Sequence, residues 1–104
     1  MAYVETNDQG FKNEVESNEK VMVKFYAGWC GSCKLFKGKY RRISEDEQYN
    51  GVKFLYINAE ENPEARKAAG VTNLPFFATF KNGSLVAANA TNKEDVVRDM
   101  ITAL

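Results

Sequence analysis

Cys30 and Cys33 are the only thiols in this 104-residue chain, and they form a Cys-x-x-Cys pair. Two sulfurs at that spacing can close a disulfide, and a thiolate is the nucleophile that opens one. The chain has no histidine. Ser-His-Asp and Cys-His catalysis, the zinc-metalloprotease helix and most transition-metal sites are therefore excluded. Two cysteines cannot complete a tetrahedral zinc site unless two chains share the metal, so no metal is expected. The count also excludes a disulfide-rich secreted scaffold. A redox-active dithiol remains, set against the plainer reading of two reduced, buried structural cysteines.

The surrounding pattern alternates strands and helices. Tyr3-Val4 reads as a short first strand. A helix is expected over Gln9 to Ser17, with Phe11 and Val15 on one face and Asn7 or Asp8 as the N-cap. Val21 to Tyr26 has the β-branched and aromatic content of a strand and runs into the turn Ala27-Gly28-Trp29-Cys30-Gly31-Ser32. From Cys33 to about Glu47, Leu35, Phe36, Tyr40 and Ile43 recur at helical spacing. Val52 to Asn58 is a second strand. Pro63 opens a short helix through Ala69, which Gly70 ends. Phe76 to Phe80 and Leu85 to Ala88 make a hairpin about Asn82-Gly83. Asn92 is the expected cap of a last amphipathic helix carrying Val96, Val97, Met100, Ile101 and Leu104. The fold class is α/β, with a mixed sheet flanked by helices.

The length fits one domain over 1–104. Fourteen Lys and Arg balance fourteen Asp and Glu, so the chain lacks the positive field of a nucleic-acid binder. The longest apolar runs, Phe54 to Ile57 and Phe76 to Phe80, are too short to span a bilayer. No signal-peptide core follows Met1, and a cytoplasmic protein is expected.

A cysteine at a strand-to-helix junction meets unpaired N–H groups and the positive end of the helix dipole, both of which favour a thiolate. Cys30 is thus the expected nucleophile. Cys33, one helical turn on, is the resolving thiol, and Lys34 adds a nearby cation. Trp29 is either a core residue or a flat apolar contact that shields the thiol and meets a protein substrate.

Four blocks, in order, carry a resemblance: Phe25-Tyr26-Ala27-Gly28-Trp29-Cys30-Gly31-Ser32-Cys33-Lys34, Asn62-Pro63, Val71-Thr72-Asn73-Leu74-Pro75 and Phe80-Lys81-Asn82-Gly83. Over essentially its whole length the chain resembles the thioredoxin family. The resemblance implies a thioredoxin fold, with a central mixed sheet of four to five strands flanked by about four helices. It also implies a cis Leu74–Pro75 bond lying against the dithiol, with the backbone at Leu74 pairing with an extended substrate segment. Trp29, Gly31 and Ser32 would tune the site.

The departures from the family pattern concern proton handling and the groove. Lys24 stands where the family has a buried aspartate that takes the proton of the resolving thiol, and Tyr56 where it has the partner lysine. An ammonium cannot accept a proton. Either Lys24 stays near Cys33 and favours its thiolate, with burial lowering its own pKa until it can act as a base, or it snorkels to solvent and the relay is lost. Ser32 replaces a proline and adds a backbone N–H and a hydroxyl, both able to donate to the Cys30 sulfur unless the side chain faces solvent. A potential less negative than that of an ordinary thioredoxin is expected, by about 30 mV for one charge-assisted hydrogen bond. Gly38 replaces a helix-kinking proline, Phe76 a threonine and Thr91 a glycine, and the last two positions border the family's substrate groove. Lys34, Lys37, Lys39, Arg41 and Arg42 make the helix after the dithiol basic, as a solvated face or a dock for an acidic protein.

The expected activity is thiol-disulfide exchange with protein disulfides through a mixed disulfide, by a monomer whose dithiol is its only redox group and which a thioredoxin reductase-like enzyme recycles. The alternative is a binding or assembly module on the same fold with weak redox activity. A glutaredoxin is disfavoured, because the hairpin has a lone Asn82-Gly83 in place of Gly-Gly and the dithiol lacks Pro-Tyr.

Overall fold

The computed structural model describes residues 3–104. Its centre is strand β2 (Lys20–Tyr26), whose residues alternate between two buried faces. Val21, Val23 and Phe25 enter one apolar cluster, and Met22 enters the other. β3 (Val52–Asn58) pairs with β2 in parallel, and β1 (Val4–Thr6) adds in parallel beyond β3. On the other side β4 (Phe76–Lys81) runs antiparallel to β2, and β5 (Ser84–Ala90) runs antiparallel to β4. The order is β1-β3-β2-β4-β5. The parallel half needs helical crossovers, whereas β4 and β5 need only a turn. Asn82 and Gly83 supply it, both with positive φ.

Helices α1 (Asp8–Ser17) and α3 (Pro63–Ala69) cover the Val21-Val23-Phe25 face. Helices α2 (Gly31–Ser44) and α4 (Glu94–Thr102) cover the other, with Phe36, Tyr40 and Ile43 packed beside Val97, Met100 and Ile101. Among the described residues, four α-helices and five strands give the mixed-sheet class expected from the sequence.

Several local expectations need correction. Leu35 is 83% exposed and takes no part in the core. The buried stripe is Cys33, Phe36, Tyr40 and Ile43, spaced three, four and three, and Leu35 falls one position off it. α2 starts at Gly31 and stops at Ser44, and Glu47–Tyr49 form a separate 3-10 turn capped by the Asp46 carboxylate. Asn92 does not cap α4. Lys93 holds that position without a side-chain bond, and the Thr91 hydroxyl accepts from its N–H at 3.1 Å. Leu104 lies beyond the end of α4.

The α3 N-terminus is closed from a distance. Asp8 of α1 accepts from Ala65 N at 2.8 Å and Glu64 N at 3.3 Å, while Asn62 Oδ1 accepts from Asp8 N at 2.9 Å. The two helix starts thus bind one another and fix the loop that follows β3.

Gly38 lies exposed inside α2, and a Cβ built there meets only the Arg42 Nη1 end at 3.8 Å. Helix propensity alone then decides the effect of a methyl group. Gly38→Ala should stabilise the protein by about 1 kcal/mol without altering exchange activity. Denaturant unfolding followed by circular dichroism checks this.

Candidate functional site

The carboxyl end of β2 delivers the chain to the site. Ala27 O accepts from Cys30 N at 3.1 Å, and Cys30 O accepts from Lys34 N at 3.3 Å, so the first turn of α2 is wound directly off the strand. Cys30 is the N-cap of α2. Its Sγ accepts from Cys33 N at 3.1 Å, where a serine or aspartate oxygen ordinarily sits. Cys30 and Cys33 are joined as a disulfide. Both are almost covered, Cys30 at 4% exposure and Cys33 at 1%, so an external sulfur reaches Cys30 first.

The backbone donor to the Cys30 sulfur is Cys33, not Ser32 as expected from the sequence. Only the Ser32 hydroxyl approaches, at 3.7 Å. The N3 amide of a helix points back at its cap, whereas the N2 amide of Ser32 is not aimed at this sulfur. Gly31 is exposed at the helix start, and a Cβ there would meet nothing within 4 Å. The Lys34 side chain is exposed.

Of the two placements open to Lys24, the structure takes the buried one. Its exposure is 0%, and Nζ donates to the Cys33 carbonyl at 2.7 Å. Nζ also lies 4.9 Å from the Tyr56 ring centroid and 5.8 Å from that of Phe36. Tyr56, its cross-strand partner on β3, stacks with Tyr26 at 4.3 Å and with Tyr3 at 4.7 Å. Lys24 forms no salt bridge among the described residues. Burial, reinforced by the charge of Lys37, brings its pKa from the ordinary 10.5 down to about 8.

Trp29 is 69% exposed and belongs to no core cluster among the described residues, so the core reading of this indole does not hold. Its Nε1 donates to Glu60 Oε2 at 2.7 Å, which pins the ring beside the dithiol. Glu60 was not anticipated from the sequence; no local signal links it to a residue 31 positions away. The Leu74–Pro75 bond is cis, and Leu74 packs against Ala27, Cys30 and Cys33. Pro75 O accepts from Thr91 N at 3.2 Å, which sets Thr91 beside the same segment. Trp29, Glu60, Arg66, Val71, Asn73 and Leu74 border a surface cleft of about 450 Å³. A larger concavity of about 700 Å³ lies around Asn18 and Tyr49, at the other end of β2, away from the sulfurs. Phe76 is core, edge-on to Phe25 at 6.4 Å. No group of three potential metal ligands exists among the described residues, and none of their helices is long and apolar enough to cross a membrane.

A strand-end Cys-x-x-Cys disulfide, capped on a helix and faced by a cis-proline segment, defines a thioredoxin-type redox site on a matching fold. Comparison with known proteins agrees. The thioredoxin family profile matches residues 2–103. Mitochondrial thioredoxin-3 of Saccharomyces cerevisiae is 32% identical over 99 residues, covering 91% of this chain and 76% of its own length. Thioredoxin of Rickettsia prowazekii is 44% identical over 77 residues, covering 73% of this chain and 72% of its own. Among solved structures, oxidised yeast mitochondrial thioredoxin 3 superposes with a TM-score of 0.86 at 28% identity, covering 99% and 95% of the two chains. The short form of spinach chloroplast thioredoxin f gives 0.89 at 28%, covering 98% and 92%. The chain belongs to the thioredoxin family and is a thiol-disulfide oxidoreductase.

Lys24 and the phenols of Tyr26, Tyr40 and Tyr56 give the oxidised protein a distinctive pH profile. Between about pH 8 and 10.5 the unfolded chain holds the Lys24 proton that the folded chain has lost, so stability rises with pH. The phenols act in the opposite sense. Burial pushes Tyr56 up to about 12 and raises Tyr40 and Tyr26 as well, so the unfolded chain ionises first and stability falls above about pH 10. Denaturant unfolding should show a maximum between these limbs, with a rise of about 1–3 kcal/mol. Lys24→Met should lose the rising limb and keep the falling one.

Proposed function

We propose that the protein is a protein-disulfide reductase acting through Cys30. The single observation behind this reading is the placing of Cys30 as the N-cap of α2, beside an exposed Trp29 and the Leu74–Pro75 segment. Once the disulfide is reduced, the α2 N-terminus and the Cys33 amide favour the Cys30 thiolate. That thiolate attacks one sulfur of a substrate disulfide and forms a mixed disulfide, releasing the other sulfur as a thiolate that takes a proton from solvent. Cys33 then attacks the Cys30 sulfur. The second substrate sulfur leaves, and the Cys30–Cys33 disulfide is restored.

Trp29, Leu74, Pro75 and Thr91 frame the substrate, with the backbone at Leu74 free to pair with an extended segment as the family resemblance implies. The dithiol is the only redox group this requires. A thioredoxin reductase-like enzyme would return the electrons. The Ser32 hydroxyl adds a donor to the Cys30 sulfur, which favours the reduced form and a potential less negative than that of an ordinary thioredoxin.

Turnover of insulin disulfides with a dithiol reductant tests the reading. The wild type should accelerate the reaction, Cys30→Ser should abolish it, and Cys33→Ser should accumulate a mixed disulfide seen by mass spectrometry under non-reducing conditions. A wild type that leaves insulin intact while still closing its own disulfide would support the binding-module alternative.

A further inference from the structure

Lys24 is a buried ionisable group that this exchange sequence leaves unused. It sits in the middle of β2, wholly covered, and its Nζ reaches the carbonyl of the residue that bears the resolving sulfur, at 2.7 Å. A buried ammonium normally has a carboxylate partner. This one has a carbonyl dipole and two ring faces.

The groups that face it are few. From α2 come Cys33, Lys37 and Tyr40, from β3 Tyr56, and from its own strand Tyr26. β4 offers Phe77 at the paired position, with no charge. The nearest strand carboxylate is Glu5, across from Tyr56 on β1, and it is bound by the Tyr26 hydroxyl. Nothing acidic therefore competes with a sulfur for the charge on Nζ among these neighbours.

Resting on the exchange reading above, we propose that Lys24 is the charge partner of the Cys33 thiolate: it favours the deprotonated resolving sulfur in the reduced protein and binds its own proton less tightly once the disulfide closes. In the dithiol state, the proton lost by Cys33 is balanced by the ammonium of Lys24. When Cys33 attacks the Cys30 sulfur of the mixed disulfide, the new S–S bond removes its negative charge. Nζ then faces only the carbonyl and the rings and binds its proton less tightly, keeping it below about pH 8 and losing it above. The electron pair passes from Cys33 to the leaving sulfur, and the departing thiolate takes its proton from solvent. A single buried cation thus replaces a carboxylate that would take the thiol proton itself. It favours the thiolate by charge, and so favours the reduced form of the couple.

Lys24 is a positioning and charge-holding residue here, because it does not touch substrate. Three measurements separate this role from plain packing. In the wild type, a heteronuclear NMR titration of the Lys24 side chain should find its proton retained to higher pH in the reduced protein than in the oxidised one. The equilibrium with glutathione should move about tenfold toward the disulfide in Lys24→Met, which corresponds to about 30 mV. Lys24→Arg should restore part of that shift. Ultraviolet titration of the reduced Met variant should place thiolate formation at higher pH.

Equal Lys24 titration in the two redox states would overturn the proposal, whether or not any variant folds. So would a folded Met variant with an unchanged glutathione equilibrium. A wild type that does not exchange with glutathione or insulin at all would instead remove the exchange reading on which the proposal rests.

Discussion

The first turn of α2 has to be held in register with the end of β2, and everything at the site hangs on that junction. The backbone does part of the work through the bonds from Cys30 to Ala27 and from Lys34 to Cys30. The Lys24–Cys33 bond does the rest, running from the sheet interior into the helix. A carbonyl on the buried side of a helix would otherwise face apolar rings. Taking a donor from below makes the sheet and the helix one unit and leaves the dithiol little freedom to drift from the Leu74–Pro75 segment.

Burying a cation there has a cost, and the surroundings offset it only in part. The Tyr56 face attracts Nζ, and the same ring carries Lys37 at 5.6 Å on the solvent side of the helix. Two cations near one phenol repel each other, and this repulsion adds to burial in lowering the Lys24 pKa. The result is a site with one buried cation bonded to the Cys33 carbonyl and a second, Lys37, over the same Tyr56 ring. Glu60, the nearby acid, is engaged by the Trp29 indole. Such a field suits a thiolate and opposes any mechanism that needs a base beside Cys33.

Much of the architecture was readable from local chemistry. Val52–Asn58, Pro63–Ala69 and the Asn82-Gly83 turn follow from β-branching, an N1 proline and a pair of positive-φ residues, and they lie where those signals put them. The dithiol was legible because spacing and neighbours defined it. The misses share a physical cause. Asp8 closing α3 and Glu60 holding Trp29 are each made by a side chain meeting a group that short-range pattern does not pair with it. Leu35 was misjudged for a different reason: helical spacing admits neighbouring stripes, and only the packed sheet decides which one is covered.

Lys24 lies at the boundary of what a sequence can say. A lysine in a strand of apolar residues is compatible with snorkelling when the strand is near an edge, because its long stem reaches water. β2 is not near an edge. It has β3 on one side and β4 on the other, with helices over both faces, and at its fifth residue the side chain is fully covered. The topology, rather than the residue, therefore settles its burial. Once buried, its nearest acceptor is set by where α2 begins, and α2 begins where Cys30 caps it. The position of the nucleophile and the environment of the lysine follow from one geometric fact, the direct passage from β2 into α2. A change to either end of that passage will be felt at the other.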